Sequence, residues 1–112
     1  MYNFHIMMNE ELFYDQYALM CRTIVNPIRL RIINIIGEKK MNVSEIQKEF
    51  EISMSNLSNH LSSLYRVGIL SREKRGNFIY YFLTDSSLLA VLTEMKNVIR
   101  TISLKRNGII KN

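Results

Sequence analysis

Ser53-Met54-Ser55-Asn56-Leu57-Ser58-Asn59-His60-Leu61-Ser62-Ser63-Leu64-Tyr65-Arg66-Val67-Gly68 joins an apolar stripe to a polar face of unusual composition. Leu57, Leu61, Leu64 and Gly68 recur at spacings of four, three and four, which predicts a helix with one side turned to a core. The opposite side carries Ser55, Asn56, Asn59, Ser62 and Arg66. A helix needing only solubility more usually carries Glu and Lys there, because Ser and Asn compete for local backbone hydrogen bonds and lower helix stability. Contact with DNA explains the choice: Asn pairs with adenine edges, and Ser bonds phosphates or bases. The competing account is an exposed helix of drifting composition.

The flanking sequence supports the first account. Upstream, Asn42-Val43-Ser44-Glu45 places a cap residue three positions before a glutamate, the reciprocal capping pattern. The short helix that follows offers Val43, Ile46 and Phe50 for burial, Glu51-Ile52 makes a turn, and Ser53 caps the next helix. Two short helices joined by a tight turn, the second polar-faced, form a helix-turn-helix. Downstream of Gly68 the period changes to two. Residues 69–74 and 77–83, the second of them rich in aromatic and β-branched side chains, flank Arg75-Gly76, which predicts a β-hairpin. Lys74 and Arg75 sit at its tip, with Arg72 nearby. Basic hairpin tips also arise by chance, but directly after a polar-faced helix this one reads as a wing aimed at phosphates or the minor groove.

Further out, residues 1–8 have no clear period and are expected to form an arm. A helix is expected over 9–24, capped by Asn9 with Glu10 and Glu11 in its first turn. Leu12, Phe13, Tyr17, Met20 and Ile24 form its stripe, and Tyr14, Ala18, Cys21 and Val25 widen it beyond a single contact. Asn26-Pro27 is a cap followed by a first-turn proline, and the helix it starts continues to Gly37. A last helix is expected from near Asp85, with Leu88, Leu92, Met95, Ile99 and Ile102 in the seam of a helix that pairs with another helix. Residues 103–112 have little to bury and are expected to form a frayed basic tail.

At 112 residues the chain is expected to be one domain, mainly α (α+β), with about five helices and a hairpin wing. So short a chain buries a modest core, which favours a dimer through the first and last helices. Those helices supply the interface candidates Leu12, Phe13, Met20, Leu88, Leu92, Met95 and Ile99. A net charge of +5 suits a polyanionic partner. The single cysteine excludes an intrachain disulfide; no signal peptide and no bilayer-spanning run is visible, so a cytoplasmic location is expected. Enzymatic chemistry has little support. Neither histidine has an evident nucleophile partner, and no glycine-rich phosphate loop exists.

From about residue 12 to residue 102 the chain resembles the ArsR (ArsR/SmtB) family of dimeric winged-helix transcriptional regulators. The resemblance is carried by Asn26-Pro27-Ile28-Arg29-Leu30-Arg31-Ile32, Ser53-Met54-Ser55-Asn56-Leu57-Ser58-Asn59-His60-Leu61, Val67-Gly68-Ile69-Leu70 and Tyr80-Tyr81-Phe82-Leu83. It implies a two-fold dimer with residues 54–66 in the major groove of an inverted repeat, and repression relieved by a signal. Family sensors of arsenic, cadmium or lead often carry Cys-x-Cys before the helix-turn-helix; here Asn42-Val43-Ser44 stands there. Zinc and cobalt sensors place Asp and His along the last helix, and no His occurs over 85–102. Redox members generally use a cysteine pair. No cofactor is expected, and the effector is unnamed. A remaining sensor candidate is Cys21, which with His5, Met7 and Met8 could offer soft ligands for copper(I) or act as a redox switch; a lone Cys in an apolar helix is more usually a small buried hydrophobe.

The leading expectation is a sequence-specific DNA-binding regulator, probing double-stranded DNA as a homodimeric repressor. Asn56 and Asn59 read base edges; Ser55, Ser58 and His60 sit on phosphates, with Ser62 and Arg66 on the same face; Lys74, Arg75 and Asn77 work from the wing. The alternative is a winged-helix module that binds protein or RNA without reading DNA sequence.

Overall fold

The computed structural model describes residues 9–111. The arm expected over residues 1–8, and with it His5, Met7 and Met8, lies outside the described residues. Five helices and three strands follow in the order α1 (Glu10–Ile24), α2 (Pro27–Ile36), β1 (Met41–Asn42), α3 (Val43–Gln47), α4 (Met54–Arg66), β2 (Leu70–Arg75), β3 (Phe78–Leu83) and α5 (Leu88–Arg106).

Most helix starts are set by side-chain oxygens. Asn9 accepts from the Leu12 N–H, Asn26 from those of Ile28 and Arg29, and Ser53 from that of Asn56. At α3 the capping is reciprocal: Asn42 Oδ1 accepts from the Glu45 N–H at 2.9 Å while Glu45 Oε1 accepts from the Asn42 N–H at 3.0 Å. Each cap satisfies donors that the helix cannot.

The core lies where α2, α3 and α4 meet the sheet. Ile32, Ile33, Ile36, Ile46, Leu57, Leu61 and Leu64 are all 0% exposed, with Leu70, Tyr81 and Leu83 closing the sheet side. The leucine stripe read from the sequence is therefore the buried face of α4. Gly68 does not extend it. It lies past the helix end at φ 86°, with its N–H on the Tyr65 carbonyl and the Ile69 N–H on the Leu64 carbonyl. That closure needs a left-handed residue, which glycine adopts without a Cβ clash. It turns the chain directly into β2.

The sheet is antiparallel in the order β1-β3-β2. The hairpin pairs Leu70 with Leu83 through to Arg75 with Phe78. The turn is therefore Gly76-Asn77, one residue later than the expected Arg75-Gly76. Arg75 is the last strand residue, and Gly76 takes φ 59° at the first loop position, where hairpin twist favours glycine.

The last helix begins at Leu88 rather than near Asp85. Asp85 Oδ1 accepts from the Ser87 N–H at 3.0 Å and from Ser87 Oγ at 2.6 Å, so its oxygen closes a local turn instead of capping the helix. At the other end α5 stays helical to Arg106, past the point where a tail was expected. The Gly108 N–H on the Lys105 carbonyl and the Ile109 N–H on the Leu104 carbonyl close it as α4 is closed. Among the described residues no helix is long and apolar enough to cross a membrane.

Replacing Leu61 with alanine empties a fully buried site on three packed elements. We expect a loss of about 2–5 kcal/mol in urea unfolding, against less than about 0.5 kcal/mol for exposed Asn59→Ala.

Candidate nucleic-acid interface

Because the leucines fix the rotation of α4, its other side faces outward. Ser55, Asn56, Asn59 and Arg66 are exposed there, and Ser58, His60 and Ser62 are half-buried along its flanks. Asn56 and Asn59 have no recorded side-chain hydrogen bond among the described residues, so their amides are available to a partner. Arg66 Nη2 donates to Ser63 Oγ at 3.3 Å, a weak local bond that an anion can displace.

His60 is held more firmly than its sequence position suggested. Its Nδ1 accepts from Arg29 Nε at 3.0 Å, and Arg29 Nη1 donates to the Thr23 carbonyl, also at 3.0 Å. Burial, reinforced by the Arg29 charge, holds the imidazole below its ordinary pKa of 6.5.

On the wing, Lys74, Arg75 and Asn77 are all exposed. The charges of Lys74 and Arg75 are not equally free. Glu73 Oε1 meets Arg75 Nη2 at 2.7 Å and Lys40 Nζ at 3.1 Å. The Lys40 hydrogen bond, with the Arg75 charge beside it, keeps the Glu73 carboxyl below the usual carboxylate range. Arg75 is thus partly neutralised, whereas Lys74 has no ion pair among the described residues. The sequence marks Arg72 only as a neighbour of the tip. Its guanidinium lies 3.9 Å from the centroid of the Tyr65 ring, joining the base of the wing to the end of α4. Strand alternation, which puts Arg72 on the same face as Lys74, is the signal that could have found it. No sequence pattern pointed to the Arg29–His60 pair, which spans 31 positions.

The candidates expected at a dimer contact lie on α1 and α5. Leu12 and Phe13 are 43% and 52% exposed, and Met95 and Ile99 are 53% and 57% exposed. Met20, Leu88 and Leu92 are half-buried against the core. Cys21 is exposed on α1 rather than buried as a small hydrophobe. Among the described residues no cluster of His, Cys, Asp and Glu could hold a metal ion.

A helix-turn-helix followed at once by a β-hairpin defines a winged helix-turn-helix protein. The chain belongs to the ArsR family of bacterial regulatory proteins, whose family model matches residues 26–72. It is 31% identical over 78 residues to the transcriptional repressor SdpR of Bacillus subtilis, an alignment covering 70% of this chain and 87% of that protein. The crystal structure of Rv0081 from Mycobacterium tuberculosis superposes with a TM-score of 0.75 at 25% identity, over 84% of this chain and 95% of that one. A homodimeric winged helix-turn-helix DNA-binding domain from Mycobacterium bovis shares the fold, with a TM-score of 0.74 at 18% identity over 82% of this chain and 85% of that one. The protein is a DNA-binding transcriptional regulator, not an enzyme.

Since the folded-state pKa of His60 is depressed, the unfolded chain takes up its proton first as pH falls. The contribution of His60 to stability is complete above pH 6.5 and is lost as pH drops through the folded-state value. Urea unfolding from pH 8 to pH 5 should show this decline, and His60→Gln should flatten that part of the curve.

Proposed function

We propose that this chain is a homodimeric repressor of the cytoplasm that lays α4 of each protomer in the major groove of one half of an inverted-repeat operator. The observation that carries the reading is the uncharged Ser and Asn face of α4, held outward by leucines with no exposed surface. Asn56 and Asn59 offer the bidentate amides that adenine edges accept. Ser55, Ser58, His60, Ser62 and Arg66 surround them as phosphate partners, and Lys74, Arg75 and Asn77 reach the backbone from the wing.

Dimerisation is supported by the apolar surface that one protomer leaves uncovered. Tyr14, Tyr17, Val91, Val98 and Ile102 join the candidates already named on α1 and α5, each at least 45% exposed. The radius of gyration is 16.8 Å, against about 13 Å for a compact chain of this length. The two outer helices project from the core rather than close around it. An operator half-site spacing of about one helical turn follows from two α4 helices related by a two-fold axis.

Fluorescence anisotropy on DNA from upstream of its own gene, against a scrambled duplex at two salt concentrations, tests this reading. We expect a preference of a hundredfold or more, about 3 kcal/mol, at dimer stoichiometry. Equal binding to both duplexes overturns sequence-specific readout. Asn59→Ala should erode the preference, whereas Lys74→Ala should weaken both duplexes alike and lower the salt slope by about 1. Ile99→Glu should place a charge in the apolar seam and yield a monomer by analytical ultracentrifugation.

A further inference from the structure

One side chain joins α1, α2 and α4. Arg29 stands in the first turn of α2, where its N–H is held by Asn26 Oδ1 at 3.2 Å. From that capped start its guanidinium reaches the Thr23 carbonyl near the end of α1 and His60 Nδ1 in the middle of α4, each at 3.0 Å. A guanidinium stays protonated and only donates. The nitrogen it meets must therefore be the bare one, and the proton of the neutral ring sits on Nε2. Burial and the Arg29 charge both disfavour a second ring proton.

Among the described residues no acceptor meets Nε2. No side-chain polar atom of the described residues is buried without a partner, so this nitrogen opens to solvent. His60 follows Asn59 directly and stands one helical turn after Asn56. Any duplex that meets those two amides passes beside the imidazole. Arg29 itself is poorly placed for such a contact, because Nε and Nη1 are already bonded inside the protein.

We propose that Arg29 is a positioning residue for DNA binding: by occupying His60 Nδ1 it holds the imidazole as an Nε2–H donor to a DNA phosphate beside Asn56 and Asn59. This rests on the placement of α4 in the major groove argued above. The neutral donor fixes register through geometry and adds no net charge, so its contribution differs in kind from that of Lys74.

The test separates the two nitrogens of the ring. A glutamine places its amide nitrogen near the position of Nε2, whereas an asparagine ends near that of Nδ1. His60→Gln should keep operator affinity within about threefold, and His60→Asn and Arg29→Gln should each weaken it about tenfold. The double variant Arg29→Gln/His60→Asn should lose no more than either single, as two members of one unit do. In His5→Asn protein, where His60 is the remaining histidine, nitrogen-15 spectra of the ring should show the Nε2-protonated tautomer. Arg29→Gln should then raise the His60 pKa towards 6.5. Equal losses for glutamine and asparagine, additive losses in the double variant, or an Nδ1-protonated ring would overturn the assignment. Should Arg29→Gln fail to fold, the glutamine and asparagine pair decides alone, since both leave Arg29 in place. Wild-type protein that does not prefer its operator overturns the groove placement as well, an outcome distinct from normal wild-type binding with additive losses.

Discussion

Everything outside the core depends on the rotation of α4 about its own axis, and that rotation is set by Leu57, Leu61 and Leu64. All three have no exposed surface, locked against the isoleucines of α2 and Ile46 of α3. Burying a leucine fully is worth about 1.5–3 kcal/mol, so turning the stripe out of the core would forgo most of the stability of so small a domain. The outward face can then be spent on residues that weaken a helix. Ser and Asn at these positions forfeit only tenths of a kcal/mol each against alanine or glutamate. The packing absorbs the local penalty, and the surface keeps short, uncharged groups able to approach a base edge.

The wing is positioned by the same core through a different set of contacts. Gly68 reverses the chain without a gap, so β2 starts three residues after the Val67 cap of α4, and Leu70 enters the core at once. β1 braces the far edge of β3 by pairing Met41 with Tyr81. Arg72 on Tyr65 then ties the strand back to the helix. Such cross-links matter because a two-stranded hairpin alone is marginal in water. Around Glu73, one carboxylate gathers two cations from separate elements. Of the two cations at the tip, Lys74 is then the one that stands outside this ion-pair group among the described residues.

Much of this was legible in the sequence, because its strongest signals are local. Asn9, Asn26, Asn42 and Ser53 each stand at a helix start, where one short polar side chain serves a nearby N–H. The errors lie where two local readings compete. Asp85 resembles a cap, yet Ser87 two residues on captures its carboxylate and the helix starts later. Arg75-Gly76 and Gly76-Asn77 are both plausible turns, and the cross-strand register selects the second. Arg29 with His60 was beyond reach, since a contact between residues 31 apart leaves no periodic trace.

The outer helices leave much of their apolar surface uncovered in one protomer. Among α1 residues only Ile24 is buried, and α5 buries none of its residues fully. Yet both are regular over their whole lengths, with a capped start to α1 and a closed end to α5. Isolated helices of 15 and 19 residues are marginal in water without tertiary contacts. Their aromatic and aliphatic faces are also too continuous for a solvent-exposed surface. In the proposed homodimer a second copy would supply those contacts and, by two-fold symmetry, a second α4 facing the same side. In that proposed arrangement the apolar surface of α1 and α5 would also make the protein bivalent on DNA, doubling the modest footprint of one α4 without enlarging the core.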